Sequence, residues 1–395
     1  MPATKKGILN RLNNNFAKLT PGGIREFDYQ ASSIPGIIKL TLGEPDFNVP
    51  AAMKQAAINS INDNDSHYAP GNGTLDLRQA IAHFMQDRYQ LNYDPENEIA
   101  VTVGATEGIY ASLSAIINPG DEILVATPTF PLYMVVTKIL GGTPVEIDTS
   151  ADNFILTPAK LQNVLDKHPN AKGLILNYPS NPTGVTYTMA QVQALAEAIK
   201  ATNLVVIADE IYSELVYDGP HTSIASFIPS QTLILNGASK SHAMTGYRIG
   251  FIAGPKELMK PVSAIHAMMV TAASDPAMAA AVAAFGTDAG KEATLKMKEA
   301  YKQRRDFVVD ALKQLDFDIT TPNGAFYIFA KIPAQFGNND LKFATDLANQ
   351  GKVAVIPGSF FGAGGQGYVR ISYATSMDTL KQAMTNIAEF INKED

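Results

Sequence analysis

Apolar residues in this chain first gather in short, nearly unbroken runs: Ile99–Val103, Glu122–Ala126, Gly173–Asn177, Leu204–Ala208, Thr232–Asn236 and Gly250–Ala253. Runs of this length bounded by turn residues read as strands buried on both faces. Between many of them the spacing turns helical, as in Glu107–Ile117 and Met189–Lys200. Such alternation predicts an α/β unit with a mostly parallel sheet and helices on both sides. The alanine-rich Ala277–Phe285 reads as a packed helix.

The pattern changes near Ala289. A charged helix, Lys291–Leu315, precedes strand-like segments at Phe317–Thr320, Ala325–Ala330, Val353–Ile356 and Val369–Tyr373, and Asp378–Asn392 returns to helical spacing. A smaller α+β unit is therefore expected, completed by the N-terminal segment folding back. The implied division is 45–288 for the larger unit, with 1–44 and 289–395 forming the smaller. A length of 395 residues also favours two packed units over one core.

Composition narrows the function. A net charge of -7 argues against a nucleic-acid partner or an anionic membrane surface, while a local arginine pair could still bind a small anion. With no cysteine, disulfides, thiolate metal sites and cysteine nucleophiles are excluded. The stretch MPATKKGILNRLNNNF has lysines but no apolar core of a signal peptide, and no apolar run approaches the roughly 18 residues of a spanning helix. A cytoplasmic protein is the expectation. Histidines show no metal-ligand spacing, so no metal is assigned.

Two motifs mislead. Gly362, Gly364 and Gly367 spell GxGxxG, but a strand-like run follows them where a dinucleotide site needs a helix N-terminus, so they read as a flexible loop. Gly286–Lys291 is one residue short of a P-loop, and Glu292 stands where a hydroxyl is needed.

Five features do line up in order. Gly104-Ala105-Thr106-Glu107 opens a helix directly after a strand, a turn whose N–H groups suit a phosphate. Asn177-Tyr178-Pro179-Ser180-Asn181-Pro182-Thr183-Gly184 makes a rigid loop after another strand, presenting the Asn181 amide. Asp209, ending an apolar strand, requires a cation or strong donor, and Tyr212 lies one turn further on. Gly237-Ala238-Ser239-Lys240 is followed by Gly246-Tyr247-Arg248. Burial and a cationic neighbour would lower the Lys240 pKa, while Ser239 and Arg248 could share a phosphate. Arg370, in mid-strand, needs an anion. Taken singly, each has an ordinary structural explanation: a plain turn, an Asx-turn or a surface ion pair.

Together these motifs resemble the class I aminotransferases, fold-type-I pyridoxal-phosphate enzymes. The resemblance runs from Leu42-Gly43-Glu44-Pro45 to the Arg370 strand. It implies a large domain with a mostly parallel seven-stranded sheet plus a smaller α+β domain, and pyridoxal 5'-phosphate as cofactor. Lys240 would carry the cofactor as a Schiff base and move the proton. Asp209 would keep the pyridine nitrogen protonated, and Asn181 and Tyr212 would bond the 3' oxygen. Gly104, Ala105, Thr106, Ser239 and Arg248 would hold the phosphate, with Phe130 stacked on the ring. Arg370 would take the substrate carboxylate, helped by Gly43 and Asn181, while Ile24 and Arg25 close over it. Tyr68 would reach the phosphate of a neighbouring subunit, implying a homodimer with a shared active site.

The wording around Ile37–Asp46 and Ser239–Gly246 resembles aromatic and N-acetyl-diaminopimelate aminotransferases alike. No arginine lies between Arg248 and Arg304, which weakens an aspartate-specific reading. The expectation is an aromatic L-amino acid paired with 2-oxoglutarate. An N-acetyl-diaminopimelate or aspartate-type aminotransferase, a carbon–sulfur β-lyase and a non-enzymatic ligand sensor remain open.

Overall fold

The computed structural model describes residues 4–13, 15 and 23–393; the remaining terminal residues placed in the smaller unit above, and part of the MPATKKGILNRLNNNF stretch, lie outside them. Thirteen strands occur among the described residues, in chain order β1 (Ile38–Lys39), β2 (Ile99–Val103), β3 (Glu122–Thr127), β4 (Thr143–Asp148), β5 (Gly173–Asn177), β6 (Val205–Asp209), β7 (Thr232–Gly237), β8 (Ile249–Ala253), β9 (Asp318–Ile319), β10 (Tyr327–Lys331), β11 (Val353–Ala354), β12 (Ile356–Pro357) and β13 (Tyr368–Ser372).

Seven of them form one sheet in the order β2-β8-β7-β6-β5-β3-β4. All run parallel except β8, which is antiparallel to both its neighbours. The unbroken apolar runs follow from burial on both sides. Ile123, Val125, Ile175, Ile207 and Leu235 pack with Ile109, Met259 and Val262 on one face. Leu124, Leu174, Leu176 and Val206 pack with Leu161, Leu195 and Ile199 on the other. The helices supplying those residues, Gly104–Ile116 and Lys256–Val270 on one side, Pro158–Leu165 and Met189–Lys200 on the other, sandwich the sheet.

The strand β4 went unseen in the sequence. It is the edge strand, carries Pro144 and exposes Thr143 and Asp148, so it has no apolar run to show.

A second sheet, β12-β13-β10-β9, is antiparallel throughout. The single strand expected at Val353–Ile356 is two: β11 pairs with β1, and the chain then crosses at Val355 so that β12 pairs with β13. The long helix Asp288–Lys313 and the helix Met377–Asn392 pack against it through Val308, Leu312, Leu380 and Ile387. Gly362, Gly364 and Gly367 sit in the loop before β13. That loop folds back on itself: a Cβ on Gly365 would run into the Gly358 carbonyl.

No helix among the described residues is long and apolar enough to cross a membrane.

Candidate active site

The carboxyl ends of β2, β5, β6 and β7 converge on one edge of the large sheet, where loops and helix N-termini leave a 580 Å³ cavity. Reversal of β8 brings its start to the same edge, because Val103 pairs with Ile249 and Gly237 with Gly250. Arg248, immediately before β8, is thereby delivered beside the turn after β2.

Of the residues singled out in the sequence, Ile24, Arg25, Gly43, Ala105, Thr106, Phe130, Asn181, Asp209, Tyr212, Ser239, Lys240, Arg248 and Arg370 all line this cavity. Gly104 stands just behind it, with φ +74°, and a Cβ there would lie 2.5 Å from Arg248 Nη2. Tyr68 alone is elsewhere, 92% exposed on the outer surface. The helix after β2 begins at Gly104, where the Gly104–Glu107 motif places its opening, ahead of the helical spacing that starts at Glu107. The early start puts the N–H groups of Ala105 and Thr106 in the first turn, where helices have no internal acceptors for them.

Lys240 occupies the one-turn helix after β7, and its Nζ donates to the Gly43 carbonyl at 2.6 Å. Burial pushes its pKa down to about 8, with Arg248 and Arg370 acting in the same direction and Glu44 opposing. Asp209, at the end of β6, is buried, and desolvation lifts its carboxyl to about 6. The Tyr133 hydroxyl donates to Asp209 Oδ2 at 2.7 Å, and the Ile211 N–H to Oδ1 at 3.2 Å, both resisting that rise.

Arg370 is buried in the middle of β13. Its Nη1 donates to Asn181 Oδ1 at 2.9 Å and its Nη2 to the Thr41 carbonyl at 2.6 Å, while Nε has no partner among the described residues. The guanidinium lies 4.6 Å above the Tyr327 ring, whose hydroxyl meets that of Tyr212 at 2.8 Å. A buried cation held, among the described residues, by two neutral acceptors and the faces of Tyr327 and Phe361 is a ready receptor for a carboxylate.

Several contributors were missed. Asn177 braces the 177–184 loop, accepting from the Asn181 N–H at 2.9 Å and donating to the Asp209 carbonyl at 3.0 Å. Tyr133 and Tyr327 reach the site across the fold. Tyr133 had a faint signal, standing three residues after Phe130 on the helix Leu132–Ile139.

The cavity thus combines a lowered-pKa amine, a buried carboxylate awaiting a cationic partner, a glycine-walled anion cradle and a second arginine aimed at another anion. This constellation at a sheet edge defines a cofactor enzyme acting through an amine and two anion-binding anchors. The chain belongs to the class I and II aminotransferases, whose family pattern matches residues 35–387. It is 41% identical over 383 residues to a probable N-acetyl-LL-diaminopimelate aminotransferase of Bacillus subtilis (strain 168), covering 97% of this chain and 96% of that protein. It is 33% identical over 387 residues to aromatic-amino-acid aminotransferase 2 of Thermococcus litoralis, covering 97% and 99%. The solved aspartate aminotransferase from Thermus thermophilus with maleate superposes with a TM-score of 0.91 at 32% identity, covering 96% and 99%.

Membership brings pyridoxal 5'-phosphate as cofactor, and an amino acid and a 2-oxo acid as substrates. The residues present fit that cofactor. Asp209 is a buried carboxylate that accepts from the neutral donors Tyr133 and Ile211, an environment suited to a protonated pyridine nitrogen, and the cradle beside Gly104 and Arg248 has the N–H groups and charge for a phosphate.

Proposed function

We propose that the protein transfers the amino group of an aromatic L-amino acid to 2-oxoglutarate, as a cytoplasmic homodimer. Pyridoxal phosphate supplies an electron sink at the reacting carbon. Lys240 is the amine that anchors it and the base that moves the proton. Asp209 holds the proton on the ring nitrogen, Asn181 and Tyr212 bond the 3' oxygen, and Phe130 packs on the ring face. Gly104, Ala105, Thr106, Ser239 and Arg248 hold the phosphate, joined by Tyr68 from the partner subunit, where its exposure on this one suits a shared site. Arg370 takes the substrate α-carboxylate with Asn181 and the Gly43 backbone.

The observation that carries the donor assignment is the apolar part of the cavity lining. Ile24, Tyr29 and Leu42 contribute apolar surface to it, and Arg25, on the helix Gly23–Ser32, contributes a cation suited to the second carboxylate of 2-oxoglutarate. The 41% identity to the Bacillus protein favours a second reading, N-acetyl-LL-diaminopimelate as donor.

Steady-state rates with phenylalanine, aspartate and N-acetyl-LL-diaminopimelate separate these readings. Phenylalanine is expected to lead in kcat/KM by about tenfold or more, the scale on which pocket contacts discriminate. A preference for either other donor removes the aromatic assignment, and release of pyruvate and ammonia from a cysteine-type substrate would identify a β-lyase.

The phosphate cradle makes its own prediction. Gly104→Ala combines a left-handed φ with a Cβ pressed against Arg248, so pyridoxal phosphate affinity, read by absorbance titration, should fall by about tenfold or more.

A further inference from the structure

His266 has no side-chain exposure at all, lies near the end of the helix Lys256–Val270 and does not line the cavity. Its Nδ1 is 3.0 Å from both carboxylate oxygens of Glu107. Its Nε2 is 2.8 Å from the Gly71 carbonyl oxygen. A carbonyl oxygen has no proton to give, so Nε2 must donate. Glu107 Oε2 also accepts the Val103 N–H at 3.1 Å, and both carboxyl oxygens are equidistant from Nδ1. With an acidic oxygen pair at one ring nitrogen and a carbonyl at the other, the geometry is that of a doubly donating ring. A neutral ring would set a nitrogen lone pair against an oxygen lone pair at one of the two contacts. Burial opposes protonation of His266, but the hydrogen bond and charge of Glu107 and the Gly71 carbonyl together raise its pKa.

What the ring joins gives the pair its meaning. Glu107 sits in the first turn of the helix Gly104–Ile116, one residue past Thr106, and its carboxylate reaches back to the last strand residue before Gly104. Gly71 belongs to the loop that carries Tyr68. That loop is tied to β2 where the Val101 N–H donates to the Asn72 carbonyl at 3.1 Å, and it packs on Ala267, with a Cβ on Gly71 only 3.5 Å from that side chain.

We infer that His266 is a positioning residue: pinned between Glu107 and Gly71, it locks the turn that holds the cofactor phosphate to the loop that offers Tyr68 to the partner subunit. The inference rests on the phosphate assignment made above. It explains why a charge is kept in an otherwise apolar helix interface, where an ion pair by itself adds little stability. It also makes the two halves of a shared phosphate site move as one piece.

The test compares affinities of the full-length protein for pyridoxal phosphate and for pyridoxal, which lacks the phosphate. His266→Gln keeps a donor near the Nε2 position, His266→Asn one near Nδ1, and Glu107→Gln removes the charge at constant shape. His266→Gln and Glu107→Gln should each weaken pyridoxal phosphate by about tenfold, the scale of one charge-assisted hydrogen bond, with pyridoxal unchanged. His266→Asn, which loses the Gly71 contact, should lose the phosphate preference in the same way, and its retention would overturn the clamp. An unchanged ratio in His266→Gln and Glu107→Gln, whatever happens to their melting temperatures, overturns the inference, because a merely structural histidine moves both ligands together. A wild-type protein with no preference for the phosphorylated ligand overturns the phosphate assignment itself, and this inference with it. Nitrogen-15 spectra of the histidine rings test the charge without any variant: a neutral His266 ring near neutral pH overturns the clamp.

Discussion

Lys240→Ala is expected to lower kcat by about 10⁴-fold or more while leaving the fold intact, the loss associated with removing a nucleophile that is also the proton carrier. Among the described residues its side chain hydrogen-bonds to the Gly43 carbonyl alone, so few polar contacts of the fold depend on it. Lys240→Arg supplies the control. Arginine keeps the positive charge yet cannot give up its proton in the working pH range, so it should be as inactive as alanine. If arginine retained substantial turnover, Lys240 would be acting as a charge and the assignment would be wrong. With a pKa of about 8, roughly a tenth of the lysine is neutral at pH 7 in the cofactor-free protein. Uptake of pyridoxal phosphate by that protein, followed by absorbance, should therefore accelerate as pH rises through about 8.

The second large effect concerns Asp209, where activity and stability should move in opposite directions. A carboxyl raised from 3.8 to about 6 is disfavoured as an anion in the fold. In the cofactor-free protein the ionised group destabilises by roughly 3 kcal/mol at neutral pH, a penalty absent below its unfolded pKa and complete above about 6. Asparagine removes the charge and still fits: its oxygen accepts the Ile211 N–H, and its amide can donate to the Tyr133 hydroxyl oxygen. Asp209→Asn should thus raise the melting temperature of the cofactor-free protein at neutral pH and lower kcat by about 10²–10³-fold, the scale for losing one preorganised electrostatic contact. A melting temperature that falls at neutral pH would show that Asp209 is not strained there.

Much of this site was legible in the sequence because its chemistry sits in contiguous stretches at strand ends. Lys240 follows β7, Asp209 closes β6, and Ala105 and Thr106 follow β2, so finding the strands located the residues. Roles that depend on pairing across the chain were not legible. Tyr133 meets Asp209 across 76 residues, Tyr327 meets Tyr212 across 115, and His266 meets Glu107 across 159. Nothing in local periodicity distinguishes those tyrosines from core aromatics, or that histidine from a packed one. The fold shows the same division. Strands covered on both faces announced themselves, whereas β4, half wet at the sheet edge, and the switch at Val355 between two sheets did not.

The reversed strand β8 has a consequence for how this scaffold tolerates change. A parallel strand could contribute a residue to this edge only as it leaves the sheet; β8 contributes Arg248 as it enters. Lys240 and Arg248 are therefore both placed by one short connection, residues 241–247, running along the rim from β7 to β8. An inserted or deleted residue there would displace one charge relative to the other, whereas connections at the opposite rim are free to vary in length. Drift in loop length, and any engineering that exploits it, is confined by this one topological inversion to the side away from the cavity.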